Sequence, residues 1–221
     1  MTDAISLDDK IARFEKMYTG AITDILDEKG YRNCTLPHDL RSLVPGQRVT
    51  GIALPMYGEP TTETDPDIIY PPLLKMLGDV QPGQVLVSKA NDTVAAHLGE
   101  LSSETAKYRG ARGAVIYGGV RDTDYIINLN FPVFSRYTTP IDVLGRWQLV
   151  DYNCEIEIEG VPVRPGDFVV GDRDGVVVIP AEITDEVLLE AEEVVNTENL
   201  VRRDILQGVH PLDAYHKYQR F

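Results

Sequence analysis

Only two cysteines, Cys34 and Cys154, occur in 221 residues. They are too few and too isolated for a disulfide framework or a thiolate metal site, so both are expected to be small buried or half-buried thiols. No apolar run approaches the roughly 18 residues that a membrane helix needs. The acidic start, Met1 to Lys10, lacks the basic then apolar order of a secretory signal, and a cytoplasmic protein that avoids membranes is the expectation. Positive charge is scarce as well, with 21 Lys and Arg against 35 Asp and Glu and a formal net charge of -14. Such a balance repels nucleic acid and anionic bilayers unless a local basic patch overrides it, and no such patch is visible along the chain. The same acidity opposes a small anionic ligand at long range. A site for one has to carry local positive charge from a metal, an arginine or helix N-termini.

What is present reads as one α/β domain over residues 1–221, a 1–180 core with N-terminal helices and a 181–221 helical extension. Ile11, Phe14, Met17, Ile22 and Ile25 fall on one face of a helical stretch from Leu7 to Glu28, with a break expected at Gly20. Strands are expected at Val49 to Met56, Gln84 to Ser88, Ala114 to Tyr117 and Pro132 to Ser135. A helix from Glu100 to Arg109 and a helical turn after Arg121 alternate with them. Beyond Tyr152 the alternation Cys154 to Val163 and the turns around Pro165-Gly166 and Asp174-Gly175 suggest a β-meander packed on this region. The stretch Ala181 to Gln207 is an acidic helix with Val187, Leu188, Ala191, Val194 and Val195 as its apolar stripe, followed by a short helix from Pro211 to Tyr218.

The chemistry concentrates in Gly99-Glu100, opening a helix, and Arg121-Asp122, ending an apolar strand twenty residues later. Two separated acids and one guanidinium could meet at one end of a sheet. That suits a hard divalent cation, which takes few protein carboxylates and keeps waters, beside an anion held by the planar fork of Arg121. Gly118 and Gly119 would permit either a tight turn or close backbone approach. His97 reads as a packed or solvated histidine rather than a ligand, and Asn91-Asp92 as a capped turn rather than a substrate contact.

Leu98-Gly99-Glu100-Leu101, the spacing to Arg121-Asp122 and the run Ala114 to Asp122 resemble the family shared by 4-hydroxy-4-methyl-2-oxoglutarate (4-carboxy-4-hydroxy-2-oxoadipate) aldolases and the RraA regulators of ribonuclease activity. Leu43-Val44-Pro45-Gly46 and the closing Pro211 to Tyr218 belong to the same likeness. It implies a β/β/α swivelling-type sandwich, assembled as a homotrimer or a dimer of trimers with sites between subunits. It also implies Mg²⁺, Mn²⁺ or another divalent cation bound directly by Asp122 and through water by Glu100. Arg121 and the backbone N–H groups of Leu101 and Ser102, after Gly99, would hold pyruvate. The reaction implied is cleavage of a small 4-hydroxy-2-oxo acid through a pyruvate enolate, with oxaloacetate decarboxylation as a companion activity.

In one respect the chain departs from the family pattern, having Tyr125 where a third acid is usual; either Asp124 takes over that role through water or the water network differs. A C-terminal glutamate from the adjacent subunit is implied too, with Glu198 the candidate and Glu193 the alternative. Lys89, Asn91 and His97 are candidates for reading the rest of the substrate. The rival reading is a non-catalytic regulator that binds a ribonuclease, against which the helices after Ala181 argue. A methyltransferase, an old label for such sequences, is excluded by the lack of a Gly-rich nucleotide loop followed by a ribose-binding acid.

Overall fold

The computed structural model describes residues 5–220. In chain order it contains α1 (Leu7–Phe14), α2 (Thr19–Glu28), β1 (Arg41–Ser42), β2 (Val49–Pro60), α3 (Pro66–Asp79), β3 (Gln84–Lys89), β4 (Ala96–Leu98), α4 (Glu100–Tyr108), β5 (Gly113–Val120) and α5 (Thr123–Asn128). There follow β6 (Val133–Thr138), β7 (Trp147–Tyr152), β8 (Ile156–Ile158), β9 (Val161–Val163), β10 (Phe168–Gly171), β11 (Val176–Ile179), α6 (Thr184–Leu206) and α7 (Pro211–Tyr218). Nine strands form one curled sheet in the order β1-β6-β5-β3-β2-β10-β11, with β4 beside β5 and β7 beside β2. Its centre, β2, β3, β5 and β6, is parallel, whereas β10 and β11 pair antiparallel at one edge.

Alternation along the strands sorts the core into three layers. Leu86, Ala114 and Ile116 point toward α3, α4 and α5, where they meet Met76, Ala106 and Ile126. Their neighbours Val85, Val87 and Val115 point the other way, into the curl, which the β8–β9 ribbon closes with Ile156, Ile158, Val161 and Val163. Phe168, Val170, Val177 and Ile179 face a third cluster built from α1, α2 and α6. The result is the β/β/α layering that the family resemblance implies. Each fully buried branched or aromatic side chain contributes roughly 1.5–3 kcal/mol against leaving it in water.

The structure differs from the sequence reading in three places. The N-terminal helical stretch breaks between Phe14 and Thr19, and Gly20 lies inside α2. A glycine costs a helix only about 1 kcal/mol, which the burial of Ala21, Ile22 and Ile25 readily offsets. The region after Tyr152 is not one meander, because β8–β9 is a separate ribbon while β10–β11 joins the main sheet beside β2. Finally, α3 forms despite Pro71 and Pro72, started by Asp65, whose carboxylate accepts the Asp67 N–H at 2.9 Å, and by Pro66 in the first turn.

The stripe predicted on the C-terminal helix packs on its own domain, with Val187, Leu188, Ala191 and Val194 buried. Ion pairs flank it: Arg13 grips Glu192 bidentately at 2.6 and 2.7 Å, and Lys29 reaches Glu186 and Glu190 at 2.6 and 2.8 Å. At the far end Asp204 holds α7, accepting from Lys217 Nζ and Tyr218 OH at 2.8 Å each. Cys34 is buried and Cys154 half-buried, both as free thiols. No described helix is long and apolar enough to cross a membrane.

Two glycines make the packing testable. A Cβ on Gly58 would lie 2.1 Å from Trp147 Cζ2, whereas one on Gly78 in α3 would meet nothing within 4 Å. Gly58→Ala should therefore lower the free energy of unfolding by roughly 1–3 kcal/mol, and Gly78→Ala should raise it by about 0.5–1 kcal/mol. Denaturant titration of both variants measures the difference, and shifts of the same sign would contradict this account of the β2–β7 contact.

Candidate functional site

Since β5 lies between β3 and β6 and runs parallel to both, its carboxyl end opens beside theirs, where open α/β sheets bind ligands. The strand stops as the Arg121 N–H bonds the Leu98 carbonyl at 3.0 Å. Asp122 then turns the chain into α5 with φ 55° and ψ 36°, a left-handed backbone. Its carbonyl accepts the N–H groups of Tyr125 and Ile126 at 3.0 and 3.2 Å. Aspartate tolerates that conformation better than most residues, yet a non-glycine there costs on the order of 1 kcal/mol, and such strain gathers at functional sites.

Asp122 Oδ2 accepts the Glu100 N–H, the first of α4, at 3.1 Å and lies 3.5 Å from Arg121 Nε. This contact requires glycine at position 99, where a Cβ would come within 2.7 Å of that carboxylate oxygen and 3.2 Å of Arg121 Nε. Gly99 caps α4 in an extended conformation with no side-chain hydrogen bond, so the next two N–H groups, of Leu101 and Ser102, are first-turn donors without an intrahelical acceptor.

The guanidinium of Arg121 is aimed by a second carboxylate that sequence reasoning missed. Arg121 Nη1 donates to Asp142 Oδ1 at 2.9 Å, and Asp142 Oδ2 accepts from Tyr70 OH at 2.9 Å and Leu144 N–H at 3.2 Å. Burial pushes the Asp142 pKa up, but the Leu144 N–H, the Tyr70 hydroxyl and Arg121 outweigh it, and the group sits below the usual carboxylate range. The Tyr70 pKa is raised by the same hydrogen bond. Held between Asp142 and Asp122, Arg121 still exposes 37% of its side chain.

That exposed face borders a cavity of about 300 Å³ whose floor is Gly99, Glu100, Leu101, Ser102, Arg121 and Asp122 and whose roof is Tyr70, Leu73 and Leu74 of α3. A second hollow of about 300 Å³, lined by Thr123, Thr138 and Thr139, opens on the other side of Arg121 and Asp122. The structure thus brings together Gly99, Glu100, Leu101, Ser102, Arg121 and Asp122. Asp124 and Tyr125 are exposed on α5, outside the cavity. Glu193 is exposed on α6, and Glu198, also on α6, accepts from Tyr18 OH in a different hollow of the same chain.

A divalent cation fits this donor set in one way. Among the described residues no three His, Cys, Asp or Glu side chains converge on a point, which does not suit a closed zinc-type cage. Asp122 Oδ1, by contrast, accepts no hydrogen bond among the described residues, and the carboxylates of Glu100 and Asp124 accept none either. One free, oriented carboxylate oxygen with other acids nearby fits a hard cation that keeps most of its waters.

His97 is a wall residue, with 1% of its side chain exposed. Its Nδ1 accepts the Gly119 N–H at 3.1 Å and its Nε2 lies 3.1 Å from Asp92 Oδ2, an arrangement that calls for a neutral ring with the proton on Nε2. Asp92 also accepts the Val94 and Ala95 N–H groups at 3.1 and 2.7 Å, as a turn cap does. Asn91 is spent on Gly58 O and Glu59, and neither it nor Lys89 lines the cavity. Gly118 and Gly119 do not sit in a ligand turn: the space a Cβ would need is taken by His97 and Ala90 at one, and by Tyr137 and the Ala95 carbonyl at the other.

Burial lowers the His97 pKa and Asp92 only partly opposes it. The folded protein therefore binds this proton more weakly than the unfolded chain, and the stability that His97 contributes is present above the ordinary value near 6.5 and lost as the pH falls through it. Melting temperature should fall between pH 7.5 and 5.5, and fall less in His97→Gln; an equal fall in both proteins would remove His97 from the account.

Comparison with known proteins extends this picture. The family model described as RraA-like, Aldolase/RraA, matches residues 19–178. A protein of Halalkalibacterium halodurans named "Putative 4-hydroxy-4-methyl-2-oxoglutarate aldolase" is 33% identical over 94% of this chain and 93% of its own. An uncharacterized protein of Pseudomonas syringae pv. tomato superposes with a TM-score of 0.81 at 31% identity, over 94% of this chain and 96% of that one. Streptomyces coelicolor RraAS2, described as an unusual member of the RNase ES inhibitor RraA family, superposes with a TM-score of 0.78 at 28% identity. That last match covers 87% of this chain and 95% of the other, a larger share than residues 1–180 make up.

Proposed function

This chain belongs to the RraA-like family, Aldolase/RraA, and from that premise we propose that it is a divalent-metal-dependent carbon–carbon lyase that releases pyruvate from a small 4-hydroxy-2-oxo acid. The observation that carries the proposal is the convergence on one cavity of the Arg121 fork, two first-turn N–H donors and a free carboxylate oxygen of Asp122. A strongly acidic protein needs such local positive potential to accept an anionic substrate.

In this reading Asp122 would hold Mg²⁺ or Mn²⁺, with Glu100, and Asp124 from just outside the cavity, as the further acids that could act through water. When bound, the cation would supply Lewis-acid polarisation of the 2-oxo acid. The Leu101 and Ser102 N–H groups take the substrate carboxylate at the positive end of α4. Arg121, fixed by Asp142, faces the C2 oxygen and stabilises the charge that develops there as the C3–C4 bond breaks. The proton leaving the C4 hydroxyl passes to Glu100 or its water and returns to C3, giving pyruvate and a carbonyl fragment. Oxaloacetate loses CO₂ through the same enolate and is the simplest substrate to assay.

The purified protein should release pyruvate from oxaloacetate faster than Mg²⁺ alone, lose that activity on chelation and regain it with Mg²⁺ or Mn²⁺. Asp122→Asn should raise the metal concentration needed. Arg121→Lys should lower kcat by roughly 10²-fold with little change in melting temperature, because it keeps the charge and loses the fork. Full turnover after exhaustive chelation would overturn the mechanism. No release above Mg²⁺ alone, from oxaloacetate or a panel of 4-hydroxy-2-oxo acids, would favour the second reading, a non-catalytic regulator acting by protein contact, to which the likeness to the Streptomyces coelicolor protein lends support.

Glu198 completes the proposal. In its own chain it faces Tyr18, so service at the metal waters would come from the next subunit of a homotrimer or dimer of trimers. Asp122→Ala and Glu198→Ala proteins should each be nearly inactive. Refolded together in equal amounts, they should recover activity toward about a quarter of the interfaces, the fraction that random assembly of a heterologous ring leaves with both residues intact. Verified hybrids without recovery would eliminate Glu198 as the shared residue and leave Glu193 to be tried in the same way.

A further inference from the structure

Three cations, Arg48, Lys107 and Arg112, line one cavity of about 410 Å³ beneath the amino ends of β2, β5 and β6. Two of them are matched by no carboxylate among the described residues. Arg48 Nη2 donates to the Met17 carbonyl and Lys107 Nζ to the Leu129 carbonyl, so neither cation is paired with an anion. Arg112 pairs with Glu15, the one acid among the lining residues. The lining therefore carries a surplus of two positive charges in a chain whose formal charge is -14.

The polar inventory of the cavity is also incomplete. Six buried side-chain polar atoms lack a hydrogen-bond partner among the described residues, and three belong to this lining: Gln47 Oε1, Arg48 Nε and Thr50 Oγ1. Thr50 is only 2% exposed. Leaving such a group unpaired is costly, and a cluster of them beside unneutralised cations points to a polar ligand. The Thr50 hydroxyl and Arg48 Nε–H are donors, and the Gln47 amide presents either a donor or an acceptor according to its rotation.

We propose that this cavity is a binding site for a small dianion with carboxylate or phosphate oxygens, separate from the catalytic pocket. The two sites lie at opposite ends of β5, whose eight residues set them about 26 Å apart along the strand. Arg48 and Lys107 supply the charge, and Thr50 and Gln47 supply directional hydrogen bonds that a merely electrostatic surface would lack.

Calorimetric titration of the intact protein with inorganic phosphate and, separately, with malonate at matched ionic strength tests the site. At least one should bind, and its Kd should rise tenfold or more in Lys107→Gln and in Thr50→Val. It should stay within about twofold in Arg121→Lys, whose altered group lies in the catalytic pocket. Binding of phosphate alone, malonate alone or both identifies the oxygen chemistry preferred. Loss of binding in Arg121→Lys with no change in the other two would assign the anion to the catalytic pocket and overturn the proposal. So would absence of binding by either probe, the result expected if a second copy of the chain fills the cavity. Lys107 lies on the exposed side of α4, so Lys107→Gln keeps the test usable should Thr50→Val fold poorly.

Discussion

Everything at the candidate catalytic site depends on one close approach, that of the Gly99 backbone to the Asp122 carboxylate. The distance leaves no room for a Cβ, and it brings the N-terminus of α4 against the chain reversal that begins α5. Two helix starts therefore meet at one carboxylate, which accepts the first N–H of α4 and belongs to the residue that begins α5. The left-handed backbone of Asp122 is the cost of that arrangement, and the hydrogen bonds to its carbonyl and carboxylate hold it in place. A carboxylate so held stays oriented without occupying both of its oxygens.

Charge is managed by location rather than by total. The acids of α6 meet Lys10, Arg13 and Lys29 on the N-terminal helices, which lets a long acidic helix pack without leaving like charges crowded together. Arg121 is bracketed by Asp122 and Asp142 yet keeps a face open. Arg48 and Lys107 are given only carbonyl partners, so positive potential survives at the opposite end of the sheet. A net charge of -14 thus coexists with two places where anions are favoured.

Much of the fold was legible because strand alternation and helix periodicity are properties of short stretches. The N-terminal face, the α6 stripe, the strands and Arg121-Asp122 at a strand end could all be read that way, whereas the joining of Gly99 and Glu100 to them rested on a helix start and a strand end that could meet and on the family resemblance. What escaped notice was non-local or disguised. Pro71-Pro72 hid α3, since two prolines ordinarily mark a break, and with α3 went Tyr70 and the cavity roof. Asp142 lies in a loop with no pattern of its own, and only the tertiary structure reveals that it aims Arg121. Gly118-Gly119 left a tight turn or a close backbone approach open, and the close approach turns out to be to protein atoms. The basic cavity was invisible for the same reason, because residues 48, 107 and 112 share no local signal.

The Asp204 carboxylate, which fastens α7 to α6, is held down to about 2 by hydrogen bonds from Lys217 and Tyr218. Mild acidification therefore does not release this particular contact. A fastening of this kind yields to chemistry that alters the partner instead: acetylating Lys217 or phosphorylating Tyr218 would remove or reverse what the carboxylate grips. The α6–α7 contact at Asp204 is thereby insulated from mild acidification, and it is open to covalent chemistry at its two partner side chains.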